Sequence, residues 1–150
     1  MIRYVETTHP VENQSRPFED YDAYQCDLPL REACEREAGP EIAELVGRYG
    51  KVAGSAEMLA LGAQANKFTP ELRAFDRFGH RIDEVDYHPA YHELMRQAMA
   101  HEVHSIAWNR AGSGAHVGHA VLTYLHSQPE AGTMCPLTMT HASVPSLRIQ

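Results

Sequence analysis

Ten histidines in 150 residues are the first feature of this chain that could carry chemistry. His88 and His92 are four residues apart, His101 and His104 are three apart, and His116, His119 and His126 fall on one side of a single helical stretch. Spacings of three or four bring helical side chains together, and imidazole is a common zinc ligand. The spacing permits a metal site without specifying one. "HEVH", residues 101–104, is one residue short of the His-Glu-x-x-His pattern, so its histidines are not one helical turn apart with the glutamate placed as base. The expectation is partly exposed helix-surface histidines, and no residue is assigned as a metal ligand.

Other constellations are equally unspecific. "GSGAHVG", residues 112–118, is Gly-x-Gly-x-x-x-Gly and follows helix instead of strand, so it reads as a helix-helix connection and not a dinucleotide turn. No Gly-x-Ser-x-Gly elbow occurs. Asp83, Glu84 and Asp86 could do acid-base work if burial separated their proton affinities. With Arg73, Arg77 and Arg81 close in sequence, a solvated ion-pair cluster is expected. Trp108, the one tryptophan, is expected to pack in the core. Cys26, Cys34 and Cys135 match no zinc or disulfide spacing and read as free, buried thiols in a reducing compartment. Spacing alone identifies no catalytic and no cofactor-binding residue.

The elements that would position these groups are mostly helical. Residues 1–26 have no helical or strand period and read as an extended arm, whose Phe18, Tyr21 and Tyr24 should lie against the chain's own domain or a neighbouring subunit. Asp27 caps a first helix with Pro29 in its first turn and Gly39 beyond its end. Pro40 opens a second, with Ile42, Leu45, Val46 and Tyr49 on one face and an end bracketed by Gly50 and Gly54. A third spans about 55–66. A short hairpin at about 74–86 turns at Gly79, and Pro89 opens a longer helix that continues, after a bend, through 103–108. The next helix, about 115–128, carries Val117, Val121 and Leu125. The closing segment has a start signal at Pro136 and a break before Pro145. Beyond it, residues 146–150 read as the first turn of another helix, cut short, which suggests a piece of a longer chain.

Hydrophobic content of 43%, charged content of 22% and a net charge of -7 are those of a globular protein without a basic patch for phosphate recognition. No run reaches the roughly 18 apolar residues of a membrane span, and the N-terminus lacks a signal-like apolar stretch. A cytoplasmic location is expected.

Three phrases carry a family resemblance: "SAEMLALGAQANKFTPEL", "RAFDRFGHRIDEVDYHPAYHELM" and "EAGTMCPLTMTHASVP". Together, from about Asn13 onward, they resemble the N-terminal region of AidB-type proteins of the acyl-CoA dehydrogenase superfamily. The resemblance implies an all-α N-terminal domain, residues 27–150 with one β-hairpin, followed in the whole protein by a middle β-domain and a C-terminal helical bundle. It further implies FAD held beyond this segment, a homotetramer, a link to the DNA alkylation response, DNA binding through the C-terminal region, and acyl thioester dehydrogenation that is weak or vestigial. No catalytic residue is carried over. Cys135, Thr138 and Thr140 stand where the family lines its acyl pocket, at a helix start whose free N–H groups would welcome a polarised partner; tight packing against neighbouring helices is the alternative. Because an isolated two-stranded ribbon is marginal in water, Phe75, Phe78 and Tyr87 are expected to dock on another domain or subunit. The rival functional reading is a cofactor-free helical assembly or regulatory module.

Overall fold

The computed structural model describes residues 8, 10, 12–110 and 112–149, so the earliest part of the expected arm lies outside the described residues. Seven helices and one two-stranded ribbon follow in order: α1 Leu28–Ala38, α2 Pro40–Ala53, α3 Ala56–Lys67, β1 Glu71–Phe75, β2 Arg81–Asp86, α4 Pro89–Ala100, α5 Ile106–Asn109, α6 Gly114–Ser127 and α7 Met134–Arg148. Local chemistry sets the starts. The Asp27 carboxylate accepts the Leu30 N–H at 3.0 Å, the Ser55 hydroxyl accepts the Met58 N–H at 3.2 Å, and the His88 ring accepts the Ala90 N–H at 3.2 Å with Pro89 behind it. A Ser or Asp cap of this kind contributes about 0.5–2 kcal/mol.

Four expectations are corrected. Helix α2 runs through Gly50 to Ala53, because Gly50 serves packing: a Cβ there would lie 2.5 Å from the Tyr24 Cβ and 2.7 Å from its backbone nitrogen. Residues 101–105 form a turn, with Glu102 at φ +57°, so α4 stops at Ala100 and only 106–109 are helical again. The last helix starts at Met134 and passes through Pro145 without breaking, so 146–148 extend it and open no new helix. Two of the three free thiols, Cys26 and Cys135, are exposed; only Cys34 is buried.

Helix α6 is the hub, packed against α1, α2 and α5, while α3 pairs with α4. Its Val121, Leu122 and Leu125 enter a core with Val46, Tyr49, Ile106 and Leu137, and each fully buried Leu contributes about 1.5–3 kcal/mol. Close helix contacts need glycine. At Gly118 a Cβ would stand 2.7 Å from Ile42 Cγ2, and at Gly114 it would stand 2.5 Å from the Ala38 carbonyl oxygen. The glycines of "GSGAHVG" therefore serve a connection and helix packing.

Residues 20–25 form a strap over the start of this core. Tyr21 N–H donates to the Gly54 carbonyl at 3.2 Å and Ala23 N–H to the Gly50 carbonyl at 3.0 Å. Asp20 accepts the Ala56 N–H at the start of α3, and Tyr24 is 2% exposed. Here the chain's own domain holds the strap, while Phe18 stays exposed and stacks on Tyr21.

The ribbon is antiparallel, with Leu72 opposite Val85 and Arg73 opposite Glu84. It is longer at its first strand than the expected 74–86. Arg73 pairs with Glu84 and Asp86, and Arg81 with Asp83, so the acidic cluster is an exposed ion-pair ladder. The turn is set by Asp76, whose carboxylate accepts from the Phe78 and His80 amides at 2.8 and 2.9 Å and bonds the His80 ring at 2.9 Å. The His80 ring first, then these amides, hold the Asp76 carboxyl below its usual range. Gly79 supplies the left-handed turn residue at φ +86°.

Candidate functional site around the last helix

The loop from α6 to α7 is organised by a buried polar chain. His126 is 0% exposed; its Nδ1 lies 2.5 Å from the Tyr49 hydroxyl on α2 and its Nε2 lies 2.8 Å from Thr133 Oγ1. A neutral ring satisfies both contacts with one nitrogen donating and one accepting. Burial keeps it neutral, lowering its pKa to about 4, and burial likewise pushes the Tyr49 hydroxyl up. Beside it, Glu130 accepts the Gly132 and Thr133 amides at 2.7 and 2.6 Å. Burial alone would raise the Glu130 carboxyl, but the Thr133 and Gly132 donors outweigh it and hold the group below its usual value.

This chain corrects the expectation of free amides at the helix start. Glu130 takes Gly132 and Thr133, Met134 N–H bonds the Ala131 carbonyl and Cys135 N–H bonds the Gly132 carbonyl, each at 3.2 Å, and residue 136 is proline. No open donor array remains there for an anion. The side chains of Cys135, Thr138 and Thr140 are exposed. At 100° per residue, Cys135 and Thr138 share a face with exposed Met139 and Ala142, while Met134 and Leu137 turn into the core. Thr140 lies off that face and its hydroxyl donates to the Pro136 carbonyl at 3.0 Å. This small, mildly polar surface suits an apolar or weakly polar neighbour. It offers no cation for a flavin's phosphates, since Arg148 lies over the Trp108 ring at 5.6 Å, so these residues do not by themselves fit FAD.

Further along α7, His141 stacks on His119 of α6 with centroids 3.7 Å apart and planes 7° apart. Trp108 packs against His116 and His141. Three further histidines have separate duties: His101 bonds the Gln97 carbonyl at 2.9 Å, His88 stacks on Phe68, and His92 meets Tyr87 and Tyr91 edge-on. His126 contradicts the helix-surface expectation because it stands four residues after Leu122, on the apolar face. That position is the signal by which it could have been found. Among the described residues no three His, Cys, Asp or Glu side chains converge to hold a metal.

On the ribbon, Phe75 and Phe78 are 59% and 73% exposed, and Leu72 and Val85, missed by sequence reasoning, are exposed as well. Tyr87 is 39% exposed and stacks on Tyr91 with centroids 4.3 Å apart. The three predicted contact residues thus flank the base and tip of the ribbon instead of forming one cluster.

The family model and the curated relative agree on one family. Residues 13–150 match the model of the adaptive response protein AidB N-terminal domain. Over 141 residues the chain is 43% identical to AidB of Escherichia coli (strain K12), named as a candidate acyl-CoA dehydrogenase, covering 93% of this chain and 26% of that protein. Among solved structures, ACDH-11 of Caenorhabditis elegans in complex with C11-CoA superposes with a TM-score of 0.78 at 22% identity, over 95% of this chain and 25% of that one. Bd2924 in its apo form gives a TM-score of 0.78 at 21% identity, over 92% and 28%. These two likenesses establish the helical fold alone. The chain spans about a quarter of the length of the relatives it matches. With the family model covering nearly the whole chain and the hairpin and closing phrases in place, the chain belongs to the AidB N-terminal domain family of acyl-CoA dehydrogenase-like proteins.

Proposed function

We propose that this chain is the N-terminal helical domain of an FAD-containing, AidB-type protein of the DNA alkylation response, and that it serves as a wall and docking platform without catalytic residues of its own. The observation that carries this reading is the 43% identity to AidB across 141 residues. Its surface supports the same role. Met139, Leu147 and Ile149 on or just beyond α7, and Leu72, Phe75 and Phe78 on the ribbon, are large apolar side chains open to solvent.

In this reading the Cys135 and Thr138 face lines the acyl pocket, with Thr140 at its margin, and Phe75, Phe78 and Tyr87 meet the middle domain or another subunit of a homotetramer. FAD and DNA are bound by the rest of the whole protein, in the cytoplasm, and acyl thioester dehydrogenation there is weak. Among the described residues no helix is long and apolar enough to cross a membrane. The decisive experiment is purification of the full-length protein. Flavin absorbance that is perturbed by acyl-CoA, and lost perturbation when Thr138→Arg blocks the face, are expected. A colourless, well-folded protein would overturn the reading in favour of a cofactor-free assembly module.

A further inference from the structure

The seam between α6 and α7 is held by imidazole rings that face one another with no acid between them. His119 on α6 and His141 on α7 are stacked at 3.7 Å, and His119 Nδ1 bonds the Val103 carbonyl at 2.8 Å. The neighbours on each packed element are basic side chains: His104 on the turn after α4, His116 on α6, and Arg148 of α7 over Trp108 of α5. The same turn carries Glu102, but that carboxylate is committed to Arg110 and Asn109. His141 Nδ1 and His104 Nδ1 are buried without a partner.

We propose that the seating of α7 on α6 is a proton-sensitive latch, closed when His119 and His141 are neutral and released when they take up protons. A first proton is disfavoured by the buried site, and a second would face an imidazolium a ring-stack away with no carboxylate to share it. Among the helices α7 meets chiefly α6; Met134 and Leu137 in the core and the Trp108 indole on the His141 carbonyl also hold it, so protonation at this seam loosens the seating of α7 against those anchors. Burial holds both rings below their ordinary value, with neighbouring histidines adding to the effect and the Val103 and His104 carbonyls opposing it.

The sign follows directly. The docked state binds fewer protons than the released one, so docking is complete above the ordinary histidine value near 6.5 and weakens as pH falls below it, by up to about tenfold per pH unit for each proton taken up. His126, whose ring sits at about 4, loses its contribution over an overlapping window that begins near the same ordinary value and extends lower, so the His119 and His141 variants are what separate the latch from it. The latch concerns the chain's own helices and does not depend on the proposed cofactor or substrate.

The test is hydrogen exchange on the protein between pH 7.5 and pH 5, corrected for intrinsic exchange, comparing peptides from α7 with peptides from α2. The expected result is at least a tenfold loss of protection in α7 with α2 unchanged, and no such loss in a His119→Gln, His141→Gln variant, whose side chains cannot be protonated. If the double variant fails to fold, His119→Gln alone should halve the pH slope, and ring-proton NMR should show both wild-type histidines titrating together with the release. PH-independent α7 protection in the wild type, parallel loss in α2, or an unchanged slope in the variants would overturn the latch.

Discussion

The indole N–H of Trp108 donates to the backbone carbonyl of His141 at 3.0 Å, the carbonyl that Pro145, four residues on and lacking an N–H, leaves without its helical partner. A proline inside a helix removes one i to i-4 bond and displaces that carbonyl. Here the displaced oxygen finds a donor on α5, which explains how α7 passes through Pro145. Trp108→Phe should destabilise the protein by about 1–2 kcal/mol, the scale of a carbonyl left unpaired. In a Pro145→Ala background the helix N–H is restored and the cost of Trp108→Phe should shrink by about 1 kcal/mol. Equal costs in both backgrounds, by urea unfolding, would refute the substitution of one donor for another.

The His126 chain makes a second prediction. Tyr49→Phe leaves Nδ1 buried without its hydroxyl and should cost about 1–3 kcal/mol, as should Thr133→Val from the other side. Because burial lowers the His126 value to about 4, its contribution is fully present above pH 6.5 and is lost as pH falls from there toward 4. A His126→Gln variant should show a shallower acid slope of stability across that window, measured by chemical denaturation at each pH.

Gly62 on α3 approaches the Pro129 carbonyl so closely that a Cβ would lie 1.9 Å from its oxygen. Backbone cannot yield as a side-chain tip can. Gly62→Ala should therefore cost about 1–3 kcal/mol or more, and should raise exchange of the Gly132 and Thr133 amides, since the loop that presents Glu130 begins at Pro129. An unchanged melting temperature would show that the loop sits elsewhere.

For the ribbon, Phe78→Ser and Phe75→Ser should shift the stability of this chain by no more than about 0.5 kcal/mol, as expected of solvent-facing positions. In the full-length protein the same changes should lower the melting temperature or shift the oligomer toward smaller species by analytical ultracentrifugation. No change in the assembled protein would remove the proposed docking role.

Much of the helical order was legible because capping chemistry is local. Asp27 with Pro29, Ser55, and Pro89 behind His88 each announce a helix start within three residues. What escaped depends on contacts distant in sequence. Gly50 looked like a terminator because its reason, Tyr24 across the strap, lies 26 positions away by the two residue numbers. Pro145 looked like a breaker because its compensating donor, Trp108, is on another helix. The site was less legible still. Cys135 and Thr138 were placed by family resemblance, but the paired state of the amides beneath them depends on Glu130, whose burial no local pattern announced. Phe75 and Phe78 were found as apolar residues on a charged ribbon; Leu72 was missed because the ribbon was expected to begin only at about 74, whereas β1 begins at Glu71, and Val85, its cross-strand partner, was missed with it.

The strap from Asp20 to Gln25 has a practical meaning for anyone cutting this gene. Gly47, Gly50 and Gly54 leave a smooth channel along α2, into which Tyr21 and Tyr24 are pressed. Trimming back to the first helical residue would strip that channel bare and remove the Asp20 cap from α3. Expression boundaries belong upstream of Phe18, however dispensable the leading residues look on paper.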